Sequence, residues 1–409
     1  MIPITEGDVR TPVVLVAGQG DTDATAGVLL RRPGTLVVEH RFDGHIVRRT
    51  LTALQHGVLT TAEAALELAH GCISCTIRND LLVLLRILSR RNDLSRIVVH
   101  LPAGMEPEPV CFAINRVPVR VGPGYLDGPA ARDVRIAAVV VCVDADTWLT
   151  RALSDDELPD GRTEAQVAVC PAEFADVLVV NRPDPVVLAV LRRLAPRSRI
   201  TSGHDQLETR LETALANLEP DSRCGRSDHA HGPLLAGQPP LDADGPVKVV
   251  EFNARRPFHP ARLHDALDLL LDGVIRARGR LWLANRSQHV MYLESAGGGL
   301  RVSNAGKWLA AMTSSEISYV DPERRALGDL MWEYRFGDRH TSMTILVCGA
   351  DPAETRAALH GALLTDDEMN RPNGWSAYDD PFGDWHTEPC DDTTHLATDT
   401  VRGTEGGHA

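Results

Sequence analysis

The sequence predicts an α/β protein in which a doubly wound, mostly parallel sheet is followed by a smaller α+β domain. In the first half, short apolar runs alternate with helical segments, as in sheets that helices cover on both faces. This alternation stops at residues 219–246, which are rich in Pro, Gly, Asp and Ser and are typical of a linker between domains. From residue 247 onward, helices and strands follow one another in a different order.

The elements of the first half are predicted from apolar runs and capping residues. Strands are predicted at residues 13–16, 35–39, 96–101, 136–144 and 176–180, and helices at 24–30, 60–69, 80–88, 185–194 and 207–218. The strand at 136–144 is apolar on both faces and is therefore expected near the centre of the sheet. The helix at 60–69 is predicted because Thr60 and Glu63 form a capping-box pattern before an Ala/Leu-rich run.

The second half is predicted to combine an antiparallel sheet with helices beside it. Strands are predicted at residues 247–252, 280–284, 290–294 and 341–348, and helices at 260–272, 322–332 and 352–364. We therefore divide the chain into a first domain at 1–218, a linker at 219–246, a second domain at 247–386 and a polar tail at 387–409. The composition of the tail predicts that it is disordered.

Composition and charge narrow the class of protein. The 409 residues are 43% hydrophobic and 24% charged, as in soluble globular domains. No apolar run approaches the roughly 20 residues that span a bilayer, and the N-terminal residues lack a signal-peptide pattern. Eight scattered cysteines suit a reducing cytoplasm, and a net charge of −14 argues against purely electrostatic binding of nucleic acid. We expect a cytoplasmic protein that binds neither membrane nor DNA.

Residues 12–30 contain the stretch that organises the first domain. An apolar strand, a turn of small residues and a helix follow one another, as around the phosphate-binding loop G-x-x-x-x-G-K-[ST]. Gly18 and Thr25 stand at the first and last positions of this motif, but Asp23 replaces its second glycine and Ala24 its lysine. A phosphate needs backbone N–H groups and a cation, but this loop carries the two carboxylates of Asp21 and Asp23. We therefore predict that GTP and Mg²⁺ do not bind here.

A second motif of nucleotide sites follows the buried strand at 176–180. Asn181 and Asp184 match a guanine-reading N-K-x-D sequence in which Arg182 replaces the lysine. We interpret Gly18, Thr25, Gly104, Asn181 and Asp184 as a vestigial nucleotide pocket without catalytic residues. The alternative for Asp184 is that it caps a helix at a strand-to-helix turn.

The spacing of Cys72 and Cys75 allows two thiolates to share one soft metal ion, and Zn²⁺ is the candidate. His70 and Glu67 lie close by in sequence as further candidate ligands. The alternative is a turn with two half-buried cysteines, because a single C-x-x-C lacks the second pair of a closed zinc site. His229 and His231 in the linker are more typical of solvated residues.

The residues around Gly71 and those of the second domain carry a resemblance to a known family. GCISC at 71–75, continued by TIRNDL, and RPFHPARL at 256–263 and RGRLWLA at 278–284 resemble the CobW-like family of P-loop GTPases and metallochaperones. The resemblance covers residues 12–385 and implies a P-loop-type domain followed by a CobW C-terminal domain. Ser74 replaces the middle cysteine of the family's G-C-x-C-C, and only Gly104 survives of its acidic E-[ST]-x-G motif.

Three further stretches narrow the resemblance to one mycobacterial branch of the family, which recruits the hibernation factor Mpy to ribosomes during zinc starvation. They are VAGQGDTDAT at 16–25, VVEHRFDGHIVRR at 37–49 and DPFGDWH at 380–386. The resemblance implies the small ribosomal subunit and Mpy as partners. Arginines grouped at 78–91, 192–199 and 276–280 can contact rRNA phosphates, or can be surface charges paired with acids.

Three hypotheses of function follow. The first is a non-catalytic, ribosome-associated factor that recruits Mpy to the small subunit, and the altered phosphate loop favours it because a recruiter does not need hydrolysis. The second is a zinc metallochaperone with GTP-dependent metal transfer, which the fold favours. The third is a zinc-sensing regulator that uses Cys72 and Cys75. Because the phosphate loop lacks its lysine, we expect an enzymatic role less than a non-catalytic one.

Overall fold

The computed structural model describes residues 8–55, 57–203 and 205–383. The elements of the first domain are β1 (Thr11–Gly18), α1 (Thr22–Leu30), β2 (Thr35–Phe42), β3 (Val47–Gln55), β4 (Val58–Leu66), α2 (Ile73–Leu88), β5 (Arg96–His100), α3 (Pro107–Arg116), β6 (Val134–Val143), α4 (Trp148–Ala152), α5 (Glu164–Phe174), β7 (Val177–Val180), α6 (Pro185–Leu194), β8 (Arg199–Ser202) and α7 (Leu207–Ala216). Those of the second domain are β9 (Val247–Ala254), α8 (Pro260–Ala266), β10 (Val274–Leu281), β11 (His289–Ala296), β12 (Gly299–Lys307), α9 (Ser314–Ser318), α10 (Pro322–Leu330), β13 (Thr341–Cys348), α11 (Pro352–Ala362) and α12 (Asp366–Met369).

The first domain is an eight-stranded sheet in the order β4-β3-β2-β5-β1-β6-β7-β8. The six strands from β2 to β8 in this order are parallel, and β3 and β4 add an antiparallel hairpin at one edge. Strand β6 lies inside the sheet and is buried along nearly its whole length, because its residues are apolar on both faces. Separate apolar clusters cover the two faces, with α1 and α7 on one of them. The predicted doubly wound fold is confirmed.

The second domain is a five-stranded antiparallel sheet in the order β12-β11-β10-β13-β9. Its core is formed by apolar residues of the strands together with α8 and α11, and includes Phe252, Phe258 and Leu359. A second, smaller apolar cluster of this domain forms around Trp282 and Trp308. Helices beside an antiparallel sheet confirm the predicted α+β class.

The predicted helix at 60–69 is wrong, because this segment is strand β4. β3 and β4 pair in unbroken register from Gln55 opposite Val58 to Val47 opposite Leu66. The hydroxyl of Thr60 donates to the carbonyl of Ala53 on β3 at 3.1 Å instead of capping a helix. The local capping-box pattern therefore gave way to hairpin pairing, which satisfies the backbone of both strands.

The predicted linker at 219–246 contains neither a helix nor a strand of either sheet, yet it packs against the second domain. Arg280 on β10 donates hydrogen bonds to the carbonyls of Ala230 and Gly232 at 3.2 and 2.7 Å. His231 donates from Nε2 to the carbonyl of Ala305 at 2.8 Å and is half-buried. The predicted domain boundaries stay predictions, and the predicted tail at 387–409 lies outside the described residues.

Buried charges also join the two domains. Glu173 at the end of α5 is paired with Arg276 and Arg278 of β10 at 3.0 and 3.1 Å. Burial alone raises the pKa of Glu173, but the two guanidinium groups outweigh it and hold that pKa below its ordinary value. Among the described residues, no helix is both long and apolar enough to cross a membrane.

Candidate metal centre

The turn after β1 lies tightly against the end of β6. Gly18 has a φ of +114°, and a Cβ added there would lie 2.3 Å from the carbonyl oxygen of Cys142, so only glycine fits. The N–H groups of Gln19 and Gly20 both donate to this same carbonyl at 3.1 and 3.0 Å. These backbone donors therefore point into the protein.

The first turn of α1 carries its own anion. Asp21 is the N-cap, and its Oδ1 accepts a hydrogen bond from the N–H of Ala24 at 2.8 Å. A carboxylate at a helix N-terminus interacts favourably with the exposed N–H groups, where a phosphate binds in nucleotide sites. The hydroxyl of Thr25 donates to the carbonyl of Asp21 at 2.9 Å and accepts from the Cys142 thiol at 3.2 Å. Thr25 is 1% exposed, so its hydroxyl is used inside the protein.

Asn181 and Asp184 make contacts within the strand-to-helix turn. The amide of Asn181 accepts from the N–H of Ala145 at 2.9 Å and donates to Asp144 at 2.7 Å. Asp184 is the N-cap of α6, and its Oδ1 accepts from two backbone N–H groups of the first turn, both at 3.0 Å. This is the capping role that the sequence left open as an alternative.

The structure brings part of the predicted nucleotide pocket together. Gly18 on β1 is the register partner of Cys142 on β6, and the N–H of Asn181 donates to Val143 at 3.2 Å, so both lie at the carboxyl ends of parallel strands. Gly104 follows β5, and its carbonyl accepts from Arg162 at 2.9 Å. The role of these residues as a former nucleotide pocket stays a prediction.

A cluster of possible metal ligands lies at the same edge of the sheet. β2 and β5 are parallel neighbours, and Glu39 on β2 is the register partner of His100 on β5. Asp23 reaches the pair from the first turn of α1. One ligand atom from each of Asp23, Glu39 and His100 lies within 4.8 Å of the others, and Oε1 of Glu39 is 3.2 Å from Nδ1 of His100. We call these three residues the strand-end cluster.

The strand-end cluster runs from the interior to solvent. The side chain of His100 is 8% exposed, that of Glu39 22% and that of Asp23 72%. Arg41 covers the two carboxylates, with Nε 2.6 Å from Glu39 and Nη2 2.9 Å from Asp23. The hydrogen bond to Glu39 is the main cause that raises the pKa of Arg41. The guanidinium therefore offsets one of the two carboxylate charges, and the Arg41 side chain is 64% exposed.

The donor set fits a zinc ion. Imidazole nitrogen and carboxylate oxygen both bind Zn²⁺ at about 2.0–2.2 Å, and three protein ligands leave a fourth position for water or an incoming ligand. Separations of 3.2 and 3.9 Å between Nδ1 of His100 and the two carboxylates are compatible with three atoms around one such ion. Binding would replace the contacts of Arg41 with those of the metal.

Cys72 and Cys75 begin helix α2. Cys72 is the N-cap, and its sulfur accepts from the N–H of Cys75 at 3.3 Å. Burial raises the pKa of the Cys72 thiol, but hydrogen bonds from Cys75 and Ser74 and the charge of Arg78 together outweigh it and leave the pKa lower than usual. Both cysteines are half-buried, the side chain of Glu67 is exposed, and the side chain of His70 lies outside the described residues. A metal at this pair stays a prediction.

Sequence reasoning missed the strand-end cluster. Asp23 was interpreted only as an obstacle to phosphate, and neither Glu39 nor His100 was singled out. The available signal was that Glu39 ends a predicted strand and that His100 stands near the end of another. Residues at the carboxyl ends of neighbouring parallel strands meet at one edge, but the sequence alone does not establish that β2 and β5 are neighbours.

The predicted arginine clusters contain members held by internal contacts. Arg86 is 2% exposed and donates to Asp133 at 2.6 Å and to three backbone carbonyls. Arg193 donates to the carbonyls of Ala189 and Asp242 at 2.8 and 2.6 Å. Arg276 pairs with Glu173 in the domain interface. These arginines have structural roles, and contact with rRNA stays a prediction.

Parallel strands that end in a glycine turn and a helix N-terminus define a nucleotide-binding class of α/β domain. The model of the CobW/HypB/UreG nucleotide-binding domain matches residues 37–206, and that of the cobalamin synthesis protein CobW C-terminal domain matches residues 247–363. The chain belongs to the CobW/HypB/UreG family and carries the CobW C-terminal domain.

This chain is similar to several known proteins, and the extent of the match differs among them. The zinc chaperone Rv0106 of Mycobacterium tuberculosis is 66% identical over 381 residues, which cover 93% of this chain and 95% of the relative. The zinc-regulated GTPase metalloprotein activator 1 of Dictyostelium discoideum is 23% identical over 85% of this chain and 74% of its own length. The Zn(II)-bound YjiA GTPase of E. coli matches with a TM-score of 0.36 at 13% identity, over 86% of this chain and 98% of that chain.

Proposed function

We propose that this protein is a zinc metallochaperone that holds Zn²⁺ at the strand-end cluster and passes it to a partner. The observation that carries the proposal is the convergence of Asp23, Glu39 and His100 at one edge of the sheet. The choice of metal is supported by the mycobacterial relative, a zinc chaperone that is 66% identical over nearly the full length of both chains.

The geometry of the cluster suits exchange better than permanent binding. Structural zinc sites are closed by four protein ligands, whereas this cluster offers three and leaves one position open. Asp23 is largely exposed, so a partner can reach the ion from solvent. When the metal leaves, Arg41 can hydrogen-bond both carboxylates and offset one of their two charges.

We further propose that metal transfer proceeds without GTP hydrolysis. Phosphoryl transfer depends on positioned cations and N–H donors, and Ala24 stands where the motif has its lysine. The carboxylate of Asp21 caps the helix end that would receive the phosphates, and Thr25 is bonded internally. Removal of one such electrostatic element costs orders of magnitude in rate.

The test is a zinc titration by chelator competition, repeated with labelled GTP and Mg²⁺. We expect binding of zinc that Glu39→Gln weakens by about 10-fold or more, and no binding of GTP up to millimolar concentration. Glu63→Gln, an exposed carboxylate on β4, is the matched control and should leave zinc affinity unchanged. Equal zinc affinity of the natural chain, Glu39→Gln and Glu63→Gln would contradict zinc binding at the strand-end cluster. Micromolar binding of GTP would contradict the proposal that metal transfer proceeds without GTP hydrolysis.

A second candidate function is the recruitment of Mpy to the small ribosomal subunit during zinc starvation. The altered phosphate loop favours it, because a recruiter needs surfaces but not hydrolysis. In this case zinc at the strand-end cluster, or at Cys72 and Cys75, would report metal supply. Co-sedimentation with ribosomal subunits and Mpy, with and without zinc, tests it. Pelleting of Mpy that depends on this protein and falls when zinc is added supports recruitment, whereas pelleting of Mpy alone contradicts it.

A further inference from the structure

Strand β4 leaves one edge uncovered and, over residues 58–63, both of its faces exposed. It is the outermost strand of the first sheet and pairs on one side with β3. Every residue from 58 to 63 is exposed, including Val58 at 65% and Leu59 at 60%. The nine residues contain one charge, Glu63, and neither proline nor glycine. Long, apolar, unprotected edge strands pair with another strand.

The other sheet edges of the described chain carry the usual protection. Strand β8, at the opposite edge of the same sheet, has only four residues. The outer strands of the second sheet are β12, which carries Arg301 and Lys307, and β9, which carries Lys248 and Glu251. Short length and charges discourage edge pairing, so β4 differs from all three.

We propose that β4 is a dimerisation strand that pairs antiparallel with β4 of a second copy. A two-fold axis through Ala62 places Val58 opposite Leu66 of the other copy and Thr61 opposite Glu63. Residues directly opposite share a face, so this register matches apolar with apolar and lets the Thr61 hydroxyl donate to the carboxylate. It also keeps the two Glu63 side chains from lying directly opposite each other, at a diagonal spacing of roughly 7–8 Å.

The hydrogen bonds of such a pair are sufficient for an interface. Nine residues paired antiparallel form about 8 to 10 inter-strand hydrogen bonds. A typical protein interface contains about 10 ± 5 direct hydrogen bonds, so strand pairing alone supplies a normal number. Charge also favours a second copy, because Arg48 on β3 lies 3.8 Å from Glu63 and leaves the strand nearly neutral. Two such strands meet without repulsion.

Sedimentation equilibrium of the full chain tests the proposal. We expect a concentration-dependent shift to twice the monomer mass. Ala62→Lys places two ammonium groups opposite each other on the axis and should weaken dimerisation by about 100-fold or more. Tyr334→Lys, at a fully exposed residue of the second domain, is the control and should dimerise like the natural chain.

A charge pair on the axis distinguishes self-pairing from other contacts. Ala62→Glu should also be monomeric, whereas an equimolar mixture of the Lys and Glu variants should recover the dimer mass. Recovery also shows that both variants are folded, since misfolded chains would not pair. A natural chain that stays monomeric, a dimer that survives Ala62→Lys, or a mixture that stays monomeric overturns the proposal. None of these results depends on zinc, so the proposed function is tested separately.

Discussion

The chain contains two candidate zinc sites, and they differ in how they are built. Cys72 and Cys75 lie within one helical turn at the start of α2. The strand-end cluster takes one residue from each of α1, β2 and β5. The first region is recognised by spacing along the chain, and the second exists only after β2 and β5 have become neighbours. Local motifs therefore reveal one kind of site, and strand order reveals the other.

The largest expected effect comes from His100→Ala, which removes the imidazole and the most buried ligand of the cluster. We expect zinc affinity to fall by about 100-fold or more, because two carboxylates remain. Chelator competition at neutral pH measures it. His45→Ala, an exposed histidine of the neighbouring turn, is the matched control. If the two variants bind zinc equally well, the strand-end cluster is not the site.

The double variant Cys72→Ser with Cys75→Ser tests the cysteine pair, the other candidate zinc site. Thiolates give a charge-transfer band in the ultraviolet when they bind Cd²⁺, whereas carboxylates and imidazole do not. We expect the double variant to lose this band and to keep the zinc affinity of the strand-end cluster. His100→Ala should show the reverse. A band that survives in the double variant would place the soft metal at other cysteines.

Arg41→Ala removes the guanidinium that covers the cluster. Zinc must displace Arg41 from both carboxylates, so we expect binding to tighten by about 10-fold. Arg48→Ala on β3 is the control, because Arg48 pairs with Asp43 rather than with the cluster. Isothermal titration calorimetry of the two variants measures the difference. Weaker zinc binding in Arg41→Ala would mean that Arg41 supports the site.

The last effect, on folding stability and not on zinc affinity, concerns His231, which the sequence analysis interprets as a solvated linker residue. Burial, with help from Arg324, lowers its pKa from 6.5 to about 4. A folded-state pKa below the unfolded value means that the unfolded chain binds more protons. Stability is therefore present above pH 6.5 and falls as pH drops toward 4.

His231→Gln should reduce this acid sensitivity, which amounts to at most about 3 kcal/mol. Urea unfolding measured from neutral to acidic pH tests it. Zinc affinity should not change, because His231 bonds to the carbonyl of Ala305 in the second domain. An unchanged slope of stability against pH would show that His231 is not the group that titrates.

The fold was predicted best where local signals and tertiary pairing agree. Helix α6 and strand β13 have the predicted bounds, and in α6 Asp184 caps a helix whose first residue is proline. The segment at 58–66 shows the opposite case, since its Ala/Leu content and capping box favoured a helix while pairing with β3 made it a strand. A propensity worth tenths of a kcal/mol per residue does not outweigh a full ladder of hydrogen bonds.

The site was predicted in part for a similar reason. Gly18 and Thr25 were found because the phosphate-loop motif is contiguous. His100 was not found, because a lone histidine at a strand end has no partner until the sheet order is known. Asp23 is part of the phosphate-loop motif in the sequence and part of the strand-end cluster in the structure. The sequence shows that Asp23 replaces the second glycine of the motif, and the structure shows that its carboxylate lies close to Glu39 and His100.

The Asp21 cap has a consequence for regulation. In a P-loop nucleotide site, the N–H groups at this helix N-terminus are completed by phosphates of the bound nucleotide, which come and go with it. Here the completing anion is a side chain of the same loop, 2.8 Å from the Ala24 N–H. It cannot diffuse away. The N-terminus of α1 is therefore capped whether or not a phosphate is bound, so its order does not depend on a nucleotide.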